Sequence, residues 1–384
     1  MEVRAGYKNT EIGVIPKDWE IKELGEIGEN IIGLTYSPND VRDYGSLVLR
    51  SSNIQNNKLA FENNVFVEMD LPQRVIVRKN DILICVRNGS KHLIGKCALI
   101  DKQTEGCAFG AFMSVYRTQY ANYIFHQFQS NIIQNQIDEV MGATINQLTN
   151  KDLATFQIPI PPTLAEQTAI ATALSDADAY IAGLEKLIAK KRNIKQGAMQ
   201  ELLKPKKGWA FEPIKNIASI STGAKNTQDK VDDGIYPFFV RSPNIENINS
   251  FSFDGEAVLV AGDGVGTGKV MHYYNGKFDF HQRVYKISDF QNNINGLYFF
   301  LYFKENFYNR IMQMTAKSSV DSIRREMISE MIISFPSIEE QTSIATIFGD
   351  MDKEIVLLEK KLEKARSIKQ GMMQQLLTGK IRLV

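Results

Sequence analysis

The sequence predicts an α+β fold. Two globular mixed α/β heads are separated by two long antiparallel helices that form an intramolecular coiled coil, and a pseudo-two-fold repeat runs through the chain. Three observations carry this. Residues 162–203 recur at 336–377, a shift of 174, with roughly 23 of the 42 positions identical. Both copies carry apolar residues at alternating steps of four and three, the heptad seam of paired helices. The stretches before them hold short β-rich runs divided by turn residues. A repeat this long is not a solenoid unit.

The first head spans 1–157, with strands expected at 74–77 and 81–86 and a helical stretch at 122–135. The first helix segment spans 158–204. It opens with Ile158-Pro159-Ile160-Pro161-Pro162, because proline suits the approach to a helix but not its interior. Its seam is Ile170, Leu174, Ala177, Ile181, Leu184 and Ile188, flanked by Glu185, Lys186 and Lys190. The second head spans 205–333. Strands are expected at 257–261 and 282–287, a hairpin turn at Asn275-Gly276, and a helix at 296–314. The second helix segment and tail span 334–384, entered through Phe335-Pro336. Its seam is Ile344, Phe348, Met351, Ile355, Leu358, Leu362, Ala365, Ile368, Met372 and Leu376, flanked by Glu359, Lys360 and Lys364. Each helix of about 38 residues would be roughly 55–60 Å long. Antiparallel pairing would put the heads at opposite ends of a rod.

The heads themselves repeat faintly, with shifts near 190. Trp19 answers Trp209, and Gly33 answers Gly223. Arg50-Ser51-Ser52-Asn53-Ile54 answers Arg241-Ser242-Pro243-Asn244-Ile245. Ile82-Leu83-Ile84 answers Val258-Leu259-Val260, and Gly95-Lys96 answers Gly268-Lys269.

Composition sets bounds. The 384 residues include 45 Lys+Arg and 44 Asp+Glu, a net charge of +1, so a uniformly basic chain is excluded but a basic face is not. With 43% hydrophobic and 23% charged residues, the chain is not largely disordered. Cys85, Cys97 and Cys107 form no CxxC pair, which argues against a disulfide framework or a zinc site and for a reducing, cytoplasmic setting. The first 13 residues have no apolar core, so no signal peptide is expected, and no 18-residue apolar run asks for a membrane.

The glycine-rich run Val260-Ala261-Gly262-Asp263-Gly264-Val265-Gly266-Thr267-Gly268-Lys269 looks like a phosphate or cofactor loop. It fails each test. A Walker loop needs glycine where Asp263 stands, and the dinucleotide fingerprint meets Thr267 or Lys269 in place of its last glycine. Binding S-adenosylmethionine would want a helix next, whereas the following residues read as a β-hairpin. The run is a loop whose backbone and Lys269 approach a ligand closely, or a solvated loop without one. His92, His126, His272 and His281 have no metal-ligand spacing. There is no G-x-S-x-G elbow, and no Asn/Asp-Pro-Pro-aromatic run, the signature of amino-methyltransferases; Pro161-Pro162 is preceded by Ile160 and followed by Thr163. No catalytic or metal residues are assigned, and the chain reads as a binding module.

Basic and amide residues in loops are the candidate DNA contacts. They are Arg50, Asn53, Arg87, Asn88, Lys91 and Lys96 in the first head, and Arg241, Asn244, Lys269, Arg283, Arg324 and Arg325 in the second. Arginine and lysine neutralise phosphate or read guanine, and asparagine reads adenine. Asn53 and Asn244 are equally readable as turn residues that bond their own backbone.

These residues carry a family likeness. Ile158–Gln167 (IPIPPTLAEQ), Phe335–Gln341 (FPSIEEQ), the close QGMMQQLLTGKIRL and the opening IPKDWEIKEL resemble the specificity subunits of type I restriction-modification systems. The resemblance implies two target-recognition domains that each read half of a bipartite site in double-stranded DNA. The paired helices would set the unread spacer, and rod length corresponds to about 16 base pairs. It implies two partner modification subunits that use S-adenosylmethionine to methylate adenine N6 after base flipping. A restriction/translocase subunit using ATP and Mg can join them. No cofactor is expected in this chain. Glu166-Gln167 and Glu340-Gln341 would serve helix capping or partner docking. Gly197 and Gly371, costly inside a helix, would serve a close helix crossing or a partner contact. Two other readings compete: a stand-alone methyltransferase, and a coiled-coil adaptor with two protein-binding heads. With a net charge of only +1, weak DNA binding by the isolated chain is expected.

Overall fold

A computed structural model describes residues 4–141, 147–264, 266–314 and 322–383. The chain divides into two compact units, 1–185 with 361–384, and 186–360. Each holds one head and part of both long helices, Leu164–Leu202 and Ile338–Leu376, each of 39 residues.

In the first unit one sheet has the order Cys97–Leu99, Ile82–Cys85, Met113–Arg117, Glu29–Ile32. A second sheet has the order Ala108–Phe109, Ser46–Leu49, Phe66–Val67, Val41–Arg42. Ile82–Cys85 is apolar and wholly buried, as a strand covered on both faces must be. In the second unit the matching strands make one six-stranded sheet. Its order is Ser219–Thr222, Val284–Ser288, Phe253–Ala261, Met271–Phe280, Tyr236–Phe239, Glu246–Ile248. Both units contain a parallel strand pair, with Leu49 beside Phe109 and Phe239 beside Phe280, and each continues into a parallel bridge, Leu34 with Gly110 and Lys225 with His281.

The sequence misplaces one turn. Asn275-Gly276 lies inside Met271–Phe280, where Asn275 pairs with Glu256 and Gly276 with Gly255. The hairpin turns instead through the glycine-rich residues after Ala261, of which Val265 is outside the described residues. Eight consecutive strand pairs outweigh the local preference of Asn-Gly. The two facing glycines, at φ +148° and +140°, adopt a backbone that side chains disfavour. Residues 74–77 also differ from expectation. Gln73–Val75 is a single 3-10 turn, and Ile76 makes only an isolated bridge to Ala108.

Aromatic helices close both cores. In the second unit, Phe299, Phe303 and Phe307 stack along Gly296–Gln313 at 5.7 and 4.4 Å between ring centres. The first unit uses two shorter helices, Ala121–Phe128 and Asn131–Val140.

The joint into each long helix is built the same way twice. Gln157–Ile160 pairs with Glu20–Glu23, and Ile332–Phe335 with Ala210–Pro213. Trp19 and Trp209 are buried beside these pairs. Tyr123 donates to the Pro159 carbonyl and Tyr298 to the Ser334 carbonyl, both at 2.8 Å. Thr163 and Ser337 cap the helices by accepting from the amides of Glu166 and Glu340. Gln167 and Gln341 are buried and donate back to the Pro161 and Pro336 carbonyls. Proline lacks the N–H that would fix this stretch, so the glutamine amide fixes it from the carbonyl side.

Of the seam residues, Ile170, Leu174, Ile181, Leu184, Ile188, Ile344, Phe348, Ile355 and Leu358 are buried and Leu362 is half-buried. Ile368 breaks the expectation, with 52% of its surface exposed. The position is taken by Lys369, which donates to Asp178 and Gln129. The helices run antiparallel within each unit, because Asp178 and Glu185 meet Lys369 and Arg366, and Lys191 and Lys195 meet Glu354 and Asp352.

Candidate nucleic-acid interface

Most of the sequence-selected residues converge on one corner of each sheet system, built from three chain segments. In the first unit, Leu49 leads into Arg50, strand Ile82–Cys85 runs out into Arg87-Asn88, and Phe112 precedes strand Met113–Arg117. The Gly110 amide donates to the Leu49 carbonyl, and the Val86 and Arg87 amides donate to the Phe112 carbonyl. In the second unit the His281 amide donates to Phe239, and the Gly262 amide to Arg283. A fourth strip closes both corners, with Leu148 N–H on the Val86 carbonyl and Ile323 N–H on the Gly262 carbonyl. The backbone therefore equates Arg87 with Asp263 and Phe112 with Arg283.

Glycine permits this closeness. A Cβ at Gly33 would overlap the Gly110 carbonyl, and one at Gly223 the Phe280 carbonyl. The faint repeat between them is thus a steric requirement met twice. The strand register makes Leu49, paired with Phe109, the counterpart of Phe239, paired with Phe280, so Arg241 lies one residue further along than Arg50.

The corners differ in side chains. In the first, the Arg87 guanidinium lies 5.1 Å from the centre of the Phe112 ring, which is 57% exposed. Arg50, Ser51, Ser52 and Phe112 line a cleft of about 850 Å³. Asn88 donates to Ser51 Oγ at 3.0 Å and accepts from the Ser90 amide. Lys96 is half-buried and donates to the carbonyls of Ser51 and Ile54, and burial lowers its pKa. Asn53 is fully buried, accepting from the Arg50 amide and donating to the Ala60 carbonyl. Its side chain thus bonds the backbone of its own loop. Lys91 is exposed in the turn Lys91–Leu93.

In the second corner, Arg241 donates to Asp263 Oδ1 at 3.0 Å, and Arg283 Nε lies 3.7 Å from Asp263 Oδ2. The Arg283 amide donates to His281 Nδ1 at 2.9 Å. His281 is buried, which lowers its pKa and keeps the ring a neutral acceptor. Lys269 is exposed, with its ammonium 4.8 Å from the Tyr308 ring centre. Asn244 is exposed, and its amide donates to Ser242 Oγ. Arg324 is exposed before the short helix Arg325–Ser329, while Arg325 donates to the Ile220 carbonyl. Sequence reasoning missed Phe112, met His281 only as a histidine without metal-ligand spacing, and met Asp263 only as a misfit in a Walker loop. Only the tertiary pairing of strand ends draws them together. Among the described residues no group of His, Cys, Asp and Glu could hold a metal ion, and no helix is long and apolar enough to cross a membrane.

The family description "Type I restriction modification DNA specificity domain" matches residues 16–196 and again 206–366. The chain belongs to that family. It is a type I restriction-modification specificity subunit with two target-recognition domains, the DNA-recognition component and not the catalytic one. The putative type I restriction enzyme MjaX specificity subunit of Methanocaldococcus jannaschii is 27% identical, over 98% of this chain and 97% of that one. The EcoDI specificity subunit of Escherichia coli is 30% identical over 44% of this chain and 37% of its own. The crystal structure of a type I S subunit from M. genitalium shares the fold, with a TM-score of 0.65, 13% identity and 98% of each chain covered. A chain from a study of type I complex assembly and conformational transition aligns with a TM-score of 0.57 and 15% identity, covering 96% of this specificity subunit and 99% of its own length.

Proposed function

We propose that each recognition domain of this specificity subunit reads one half of a bipartite duplex site and that the paired helices set the unread spacer. The recognition domains are 1–157 and 205–333, and the spacer segments are 158–204 and 334–384. One observation carries this reading: the same corner is built twice by the same backbone hydrogen bonds, with different side chains at it. A constant frame with variable exposed residues is what two different half-sites require. Arg50, Arg87, Asn88, Lys91, Arg241, Asn244, Lys269, Arg283 and Arg324 face the duplex. Asn53, Lys96 and Arg325 hold the loops that present them.

The helices also dock two modification methyltransferase subunits. Ile194 and Ile368, equivalent in the repeat, are both exposed, and a Cβ at Gly197 or Gly371 would meet nothing within 4 Å. No close helix crossing among the described residues explains these glycines, so a partner surface is favoured. S-adenosylmethionine belongs to that partner, which methylates adenine N6. ATP and Mg belong to a restriction/translocase subunit where one joins. The complex works in the cytoplasm, where the DNA is.

Methylation mapping tests the reading. A host expressing the chain with its modification subunits should show N6-methyladenine at one bipartite motif. Methylation without a two-part motif, or by the purified chain alone, would overturn it.

A further inference from the structure

We propose that the corner of the second unit is a guanine reader in which Asp263 positions Arg241 and Arg283. The equivalent corner of the first unit, with Phe112 at the place of Arg283, reads a different base by apolar contact. This rests on the DNA-recognition reading above and adds the base chemistry to it.

A corner built to neutralise phosphate gains nothing from an aspartate beside both of its arginines. Asp263 lies within 3.0 Å of Arg241 and 3.7 Å of Arg283, so it cancels part of their charge and would repel phosphate. Base edges are neutral and reward orientation instead. A guanidinium has five N–H donors, so one edge can rest on the carboxylate while another meets guanine O6 and N7. Both arginine side chains remain exposed.

Arg283 is also held through its backbone. Its amide donates to the neutral His281 ring, and its carbonyl accepts from Gly262. A Cβ at Gly262 would sit 2.9 Å from that carbonyl and 3.0 Å from the Tyr285 ring. The Arg283 backbone is therefore held by two hydrogen bonds before any ligand arrives, which lowers the ordering cost of recognition.

The first corner keeps the frame and changes the chemistry. Phe112 replaces Arg283, Arg87 replaces Asp263, and the two stack on each other with the ring exposed. An exposed ring edged by a cation suits the thymine methyl group, with Arg87 free to reach the neighbouring backbone or base edge.

The test is selection from a randomised duplex library by the full chain, with its modification subunits, at two salt concentrations. Wild type should enrich a two-part motif with guanine in one half. Arg283→Ala and Arg283→Lys should both relax preference at that guanine, by roughly 5- to 150-fold, because lysine keeps the charge but loses the fork. Asp263→Asn should relax the same position while raising non-specific affinity. Phe112→Ala should change only the other half, so the untouched half-site reports that each variant is folded. Rescue by Arg283→Lys, or a uniform affinity loss with a smaller salt slope, would assign Arg283 to phosphate and overturn the proposal. A half-site without guanine would overturn it as well. A wild type that enriches no motif would instead overturn the DNA-recognition reading beneath it.

Discussion

Lys369 donates to Asp178 at 2.7 Å, and the repeat places the same contact at Lys195 and Asp352, each 174 residues from its counterpart. Arg366 on Glu185 and Arg192 on Glu359 repeat in the same way. Two independent pairs at one shift fix the helix register in each unit. Coupling across Asp178–Lys369 should be about 1 kcal/mol in a double-mutant cycle, because the Lys369 side chain is only 12% exposed. The exposed Arg192–Glu359 pair should give less than half of that in urea unfolding, and equal couplings would count against the difference in burial.

His126 makes stability depend on pH. Burial, and then the charge of Lys369, push its pKa down to about 4 from 6.5, against the opposing pull of Asp178. The unfolded chain therefore binds a proton between those values and the folded one does not. Its contribution is intact above about pH 6.5 and is lost as pH falls toward 4, on the order of 3 kcal/mol. Unfolding midpoints from pH 7.5 to 4 should fall more steeply for wild type than for His126→Gln.

Arg382 lies close to the C-terminus and neutralises a buried carboxylate. It bonds both oxygens of Glu166, which is 1% exposed, and both oxygens of Asp18. Arg382→Ala should cost about 3 kcal/mol, since it leaves Glu166 buried and unpaired. Adding Glu166→Gln should recover part of the loss in thermal unfolding, and no recovery would mean that the packing of Arg382 on Trp19 dominates.

The glycines separate into two classes. Gly33→Ala and Gly223→Ala should each cost about 2–4 kcal/mol, because the methyl group meets a backbone carbonyl that cannot move aside. Gly197→Ala and Gly371→Ala should stabilise the isolated chain by about 0.5–1 kcal/mol, because their methyl groups meet open space in a helix. If those helices dock the modification subunits, the same two variants should weaken assembly, measured by co-purification.

Leu184 and Leu358 are buried seam residues of the two units. Leu184→Glu or Leu358→Glu should cost about 3 kcal/mol. Methylation mapping should then show loss of the fixed spacing between half-sites, and unchanged stability would argue against the seam.

Much of this was legible in the sequence for one reason: the chain says it twice. Duplication made the helix segments, the proline-marked joints and the paired tryptophans and glycines visible without any structure. Periodicity settled the seam, since buried positions on a helix must recur every three or four residues. It failed at Ile368, where Asp178 on the other helix gives Lys369 a partner and draws it inward.

The sequence by itself determined the two-fold plan and which segments are constant, because those follow from local periodicity and internal identity. The tertiary structure alone decided the contents of the corners. Leu49, Arg87 and Phe112 are far apart in the chain, as are Arg241, Asp263 and Arg283, and no local pattern links them. Strand pairing across long separations brings them together. The same long-range pairing carried Asn275-Gly276 through a strand and moved the turn to the glycine loop that holds Asp263.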